Sequence, residues 1–232
     1  MSIRTTQFAP ENYYHIYNRG VDKRKIFTNK RDFERFYISL YLLNDESYHP
    51  PTGLYFTSPG DVKKEGQTRT PLVNILSFCL IPNHFHMLIE PVVENGLTKF
   101  MHRLLMGYAK YFNKKYDRTG PLYDGAFKAI QISNEAHFEH LLRYIHLNAL
   151  DLTDMQWREG AITDWNHAVE FLDEYQWSSH HAYRGAEQLL PVVEKGVLGD
   201  IFSTPQEYHN FLRQWSMRSM GDVREILHHP EM

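Results

Sequence analysis

The sequence predicts an α+β fold: a ferredoxin-like β-α-β-β-α-β antiparallel sheet, with an added helix after the last strand and a C-terminal helical extension. Three observations carry this. Short aromatic and β-branched runs recur at strand length, two stretches between them repeat apolar residues at helical spacing, and the central pair of runs is joined by a tight Pro82-Asn83 turn.

The first run, Tyr13-Tyr14-His15-Ile16-Tyr17-Asn18, is rich in strand-forming residues and closes at Arg19-Gly20. A helix then starts near Asn29-Lys30-Arg31-Asp32. Phe33, Phe36, Tyr37, Leu40 and Tyr41 recur at i, i+3, i+4, i+7 and i+8, giving an apolar stripe to about Leu43. Residues 44–70 hold Pro50, Pro51, Gly53, Pro59, Gly60 and Gly66 without a sustained period, which predicts an inserted flexible loop. Strands follow at about 72–81 and 84–90. The helix expected over Leu97–Tyr116 places Phe100, Leu104, Leu105, Tyr108 and Phe112 on one side and is closed by Arg118-Thr119-Gly120-Pro121. Phe127–Ile132 is the fourth strand. Ser133-Asn134-Glu135-Ala136 opens the added helix, whose stripe is Phe138, Leu141, Leu142 and Ile145. These elements predict one domain over residues 1–150. Residues 151–232 are expected to be an acidic extension packed on it, with a last helix from Thr204-Pro205 to about Met217.

An apolar fraction of 42% over 232 residues excludes a disordered polymer and allows a sizeable core. No apolar run reaches the ~18 residues that cross a bilayer, and the N-terminus lacks a signal-peptide core, so a cytoplasmic location is expected. A single cysteine, Cys79, rules out a disulfide framework and a Cys-rich zinc site. The formal net charge of −3 hides an asymmetry. Residues 1–130 carry 18 Lys and Arg against 12 Asp and Glu, whereas residues 131–232 carry 7 against 16. A basic body of this kind tilts toward a phosphate-bearing partner.

The chemistry concentrates in two motifs. His84 and His86, within Ile81-Pro82-Asn83-His84-Phe85-His86-Met87-Leu88-Ile89, are spaced i, i+2, so a strand points both imidazoles to one face. They form half of a metal site or an ordinary hydrogen-bonded pair. On the helix after the fourth strand, Tyr144 and Asn148 are four apart and share a face. A phenol needs its charge offset before it can attack, and a divalent ion held by the His pair and Asn148 would polarise a phosphate. The alternative is a core Tyr144 and an Asn148 that caps the helix. Tyr123 is a rival nucleophile in a Gly/Pro-rich turn, and His146 points off the Tyr144 face.

Together these motifs resemble the single-tyrosine HUH transposases, in the REP-associated, IS200-like branch. Tyr14–Gly20, Gly120–Lys128 and Tyr175-Gln176-Trp177-Ser178-Ser179-His180 extend the resemblance over most of residues 13–184. It implies a metal-dependent single-stranded DNA endonuclease and strand transferase: His84, His86 and Asn148 as ligands of Mg2+ or Mn2+, and Tyr144 as the nucleophile that forms a 5′-phosphotyrosine. It implies hairpin DNA as partner, no membrane and a nucleoid-associated site of action, and leaves monomer or homodimer open. In that context Arg19, Lys23, Arg24, Lys25, Arg103, Lys110, Lys114 and Lys128 are candidate DNA-binding residues, each also explicable as solvated surface charge. Ala149 departs from the proline that commonly follows Asn148 in the family, which softens the helix stop. The alternative function is a catalytically silent nucleic-acid-binding protein of the same fold.

Overall fold

In the computed structural model, which describes residues 7–48, 69–159 and 162–216, four strands form one antiparallel sheet. They are β1 (Tyr14–Arg19), β2 (Val73–Ile81), β3 (His84–Pro91) and β4 (Lys128–Gln131), in the spatial order β2-β3-β1-β4. Helices α1 (Lys30–Leu42) and α2 (Gly96–Lys115) occupy the expected places in a β-α-β-β-α-β order, and α3 (Glu135–Leu147) follows β4. The expected ferredoxin-like plan is therefore the observed one.

Alternation decides what each face of the sheet touches. Phe85 points to the α1/α2 side, where the buried Phe36 ring lies 5.3 Å from Phe85 and 5.0 Å from Tyr108. Truncating a ring so enclosed costs about 3–5 kcal/mol. On the other face, Tyr17 pairs with His86 and Arg19 with His84, and α3 packs against that side. The sheet is thus covered on both faces, with the polar residues of β1 and β3 gathered under α3.

Local sequence sets the element ends. Asn134 caps α3, its side chain accepting from the His137 N–H at 2.8 Å. The two-residue turn between β2 and β3 is itself a template: the Pro82 carbonyl accepts from the N–H groups of Ile26 and Phe27, and the Asn83 carbonyl from that of Gly20. Gly20 has no room for a side chain, since a Cβ there would sit 2.2 Å from the Arg24 carbonyl oxygen. This close approach fixes the short 3₁₀ turn Val21–Lys23 beside the start of β3.

The region after α3 closes the free edge of β2. Leu80 N–H donates to the Trp177 carbonyl, Ser179 N–H to the Phe78 carbonyl, and Phe78 N–H to Ser179 Oγ at 2.8 Å. An edge so paired cannot recruit a foreign strand. Beyond these contacts come α4 (Trp165–Glu174), α5 (His180–Tyr183), α6 (Val197–Ile201) and α7 (Pro205–Ser216), the last held to α3 by Arg143 Nε donating to the Phe211 carbonyl. Of the loop expected over 44–70, residues 49–68 lie outside the described residues, as does Met217 at the expected end of the last helix. At its start Asn44 is buried, its Oδ1 accepting from the N–H groups of both Leu72 and Val73. Among the described residues no helix is long and apolar enough to cross a membrane.

Candidate active site

Strand pairing brings His15, Tyr17 and His86 side by side, and α3 lays Tyr144 across them. The His84 and His86 rings lie 5.0 Å apart and nearly perpendicular, and His86 meets the Tyr144 ring edge-on at 5.2 Å. Each imidazole has one nitrogen engaged: His84 Nδ1 with Asn83 Oδ1 at 2.8 Å, and His86 Nδ1 with His15 Nε2 at 2.9 Å. A protonated Nδ1 on both rings would direct the Nε2 lone pairs outward, as metal ligation requires. Burial is the main reason that His84 is pushed down to about 4. The Asp151 charge and an Asn148 contact pull the other way, while Arg158 and Arg19 add to the depression. Burial also holds His86 well below the usual histidine range, reinforced by His84, His15 and Arg158. Both rings are therefore neutral near pH 7, the form that binds a cation.

Asn148 sits where α3 passes into a 3₁₀ turn, Asn148–Leu152, and its N–H still donates to the Tyr144 carbonyl. The helical i, i+4 relation to Tyr144 is thus kept, and Asn148 is the helix C-cap as well. Ala149, fully buried, lets the chain continue as that turn. The Asn148 side chain is fully buried, and neither its oxygen nor its nitrogen has a hydrogen-bond partner among the described residues, although it is close enough to act on His84 and Tyr144. An orphaned buried carboxamide is costly unless something completes it. With two neutral imidazoles beside it, the donor set fits a divalent cation. Among the described residues no cluster of three His, Cys, Asp or Glu side chains is placed to hold a metal, so such a site depends on this carboxamide.

Tyr144 is only 2% exposed. Burial raises its phenol above the usual value of 10. The Arg158 charge and hydrogen bonding, and Asn148, lower it, while Asp151 raises it further. Arg158 comes from the third 3₁₀ turn, Trp157–Glu159. Its Nη1 and Nη2 each lie 3.4 Å from the Tyr144 hydroxyl, and its other edge is gripped by Asp151 at 3.0 and 2.6 Å. The Trp157 indole N–H also donates to Asp151 at 2.7 Å. Sequence reasoning missed Arg158, which lies 14 residues from Tyr144 with no helical spacing. It missed His15 too, although that residue's place on the strand shared by Tyr17 was a usable signal.

A cavity of about 460 Å³ opens over these groups, and Arg19, Lys23 and Lys128 line it along with His84, His86, Tyr144 and Arg158. Arg19 is tied to Asp124 at 3.0 Å on its rim. The other candidate DNA contacts lie apart. Arg24 bonds the Val21 carbonyl, Lys25 is exposed, and Arg103, Lys110 and Lys114 belong to α2, on the opposite side of the sheet. Tyr123 packs its ring against Phe85 at 6.5 Å, on the α1/α2 side, while His146 is buried with Nε2 2.6 Å from Ser179 Oγ.

Comparison with known proteins gives two similarities. A solved structure described as "Structure of the REP associates tyrosine transposase bound to a REP hairpin" aligns with 84% of this chain and 93% of its own, at 12% identity and a TM-score of 0.46. No curated protein matches the chain. The family model described as "Transposase IS200 like" matches residues 65–148. That stretch, which carries both histidines, Tyr144 and Asn148, is similar to the IS200-like transposases.

Proposed function

We propose that the chain is a metal-dependent endonuclease and strand transferase acting on single-stranded, hairpin-bearing DNA, with Tyr144 as nucleophile. The observation that supports this most is the convergence of two neutral imidazoles and a phenol in one cleft with a cationic rim, with an unpartnered buried carboxamide beside them. In this reading residues 1–150 are the catalytic domain and residues 151–232 an acidic C-terminal extension to it.

His84, His86 and Asn148 would hold the ion. Imidazole nitrogen suits transition ions and carboxamide oxygen suits hard ones, so Mn2+ accepts the whole set, with Mg2+ the other candidate. When bound, the ion withdraws charge from phosphate oxygens. Tyr144 Oη then forms a bond to phosphorus while the bond from phosphorus to the 3′ oxygen breaks. The electron pair stays on the 3′ oxygen, which takes a proton from water to become a hydroxyl, and the phenol proton leaves to water. The product is a 5′-phosphotyrosine, and attack by another 3′-hydroxyl reverses the step. Burial holds the Tyr144 phenol above its usual range, so the Arg158 charge that pulls it back matters for attack.

The rival is a silent nucleic-acid-binding protein, which draws on the burial of Tyr144. Labelled single-stranded hairpin DNA, incubated with the protein and Mn2+ or Mg2+ and run on a denaturing gel, separates the two. A covalent protein–DNA band that needs metal and vanishes with Tyr144→Phe is expected. Metal-dependent cutting without that band would mean attack by water, and binding without cutting would favour the silent protein.

A further inference from the structure

We propose that Arg158 is a catalytic residue of this cleft, one that donates from its Nη1/Nη2 edge to a non-bridging oxygen of the phosphodiester that Tyr144 attacks, with Asp151 as its positioning residue. The inference rests on the phosphoryl-transfer reading of the site.

The guanidinium has two working edges. Nε and Nη2 grip the two oxygens of Asp151 at 3.0 and 2.6 Å, the paired geometry that fixes an arginine in its plane. The Trp157 ring lies against that plane, its centroid 4.6 Å away. What is left, Nη1 and the second hydrogen of Nη2, points at the Tyr144 hydroxyl at 3.4 Å each, longer than a good hydrogen bond. A phosphate oxygen brought to Tyr144 would accept those hydrogens at about 2.7–2.9 Å, the range of charge-assisted bonds. Arg158 also lines the cavity that holds Tyr144, His84 and His86, so the approach is open. The Arg158 guanidinium also lies over the Tyr144 ring, 5.1 Å from its centroid, so a fixed positive charge is in contact with the nucleophile. As the phenol oxygen bonds to phosphorus, negative charge gathers on the non-bridging oxygens, and a preoriented donor stabilises that charge without moving.

The test uses the full chain and one chemical substitution in the DNA. The linkage cut by the wild-type protein is mapped, and the hairpin is remade with a neutral methylphosphonate at that linkage. Arg158→Gln is expected to lose about 10²–10³-fold in adduct formation on the native phosphodiester and less than tenfold relative to wild type on the methylphosphonate. Arg158→Lys should recover only part, because it lacks the fork. Equal losses on both linkages would mean that Arg158 merely holds the fold, and would overturn the proposal. A second readout does not need cleavage. In 15N-labelled wild-type protein, the Arg158 side-chain N–H signals, assigned by their absence in Arg158→Lys, should move on adding a short single-stranded phosphodiester oligonucleotide and stay still with its methylphosphonate counterpart. A chain that makes no adduct but shows this shift sinks the transferase reading and keeps Arg158 as a phosphodiester contact. Signals that ignore both oligonucleotides overturn the Arg158 assignment.

Discussion

His15 Nε2 lies 2.9 Å from His86 Nδ1, across the β1–β3 ladder, so a residue of the first strand governs which nitrogen of a candidate metal ligand faces the cleft. His15 itself is fully buried.

Replacing His15 with Phe should therefore weaken metal binding without removing a ligand. The concentration of Mn2+ giving half-maximal binding, read by calorimetry, is expected to rise about 10–100-fold. An unchanged Mn2+ affinity in a folded His15→Phe protein would refute the link.

Ser179→Ala should destabilise by about 2–3 kcal/mol. Its hydroxyl accepts from Phe78 N–H at 2.8 Å and lies 2.6 Å from His146 Nε2, and both partners are buried. Removing the hydroxyl strands them, and a stranded buried group costs about 1–3 kcal/mol. Urea unfolding checks the value, and a loss below about 0.5 kcal/mol would mean that water replaces the hydroxyl.

Asp32 is fully buried between α1 and α2, with Lys115 Nζ at 2.6 Å and Thr28 N–H donating at 2.9 Å. Burial pushes its carboxyl up, but the Lys115 and Thr28 hydrogen bonds outweigh that and leave it below the usual range. A lowered pKa in the folded state stabilises the fold at pH values above the unfolded pKa of about 3.9, and that contribution is lost as pH falls through the folded value. Asp32→Asn should cost about 2–3 kcal/mol at pH 7 and progressively less below pH 4, as measured by urea midpoints at each pH.

His140 acts in the same sense for a different reason. Burial, aided by His137 and Arg143, pushes it down to about 3. Between an unfolded value of about 6.5 and that folded value the unfolded chain binds the extra proton, so stability falls on acidification through this window. The slope from one such group is at most about 1.4 kcal/mol per pH unit. His140→Gln should flatten the stability profile between pH 6 and pH 4, and an unaltered profile would mean that His140 is not neutral in the fold.

Legibility followed the range of the physics involved. The strand and helix order could be read because each element is written in local periodicity, and the His84–His86 and Tyr144–Asn148 pairs because a strand or a helix alone fixes their spacing. Which side of the sheet a lysine occupies is not local: Lys110 and Lys128 look alike in composition, yet one rides α2 and the other lines the cleft. Arg158 was illegible for the same reason, since an irregular turn and the Asp151 ion pair bring it to Tyr144 rather than any repeat.

The strap on β2 has a bearing on the order in which the protein matures. Phe78 and Ser179 are 101 residues apart, so their bonds close one of the longest loops in the chain. Through synthesis the ribosome releases both histidines, Tyr144 and Asn148 well before it releases Ser179, and contacts of such span form late. A nascent chain carries the candidate ligands and the candidate nucleophile on an open-edged sheet, exposed to strand-on-strand association until residues 177–179 arrive to seal it.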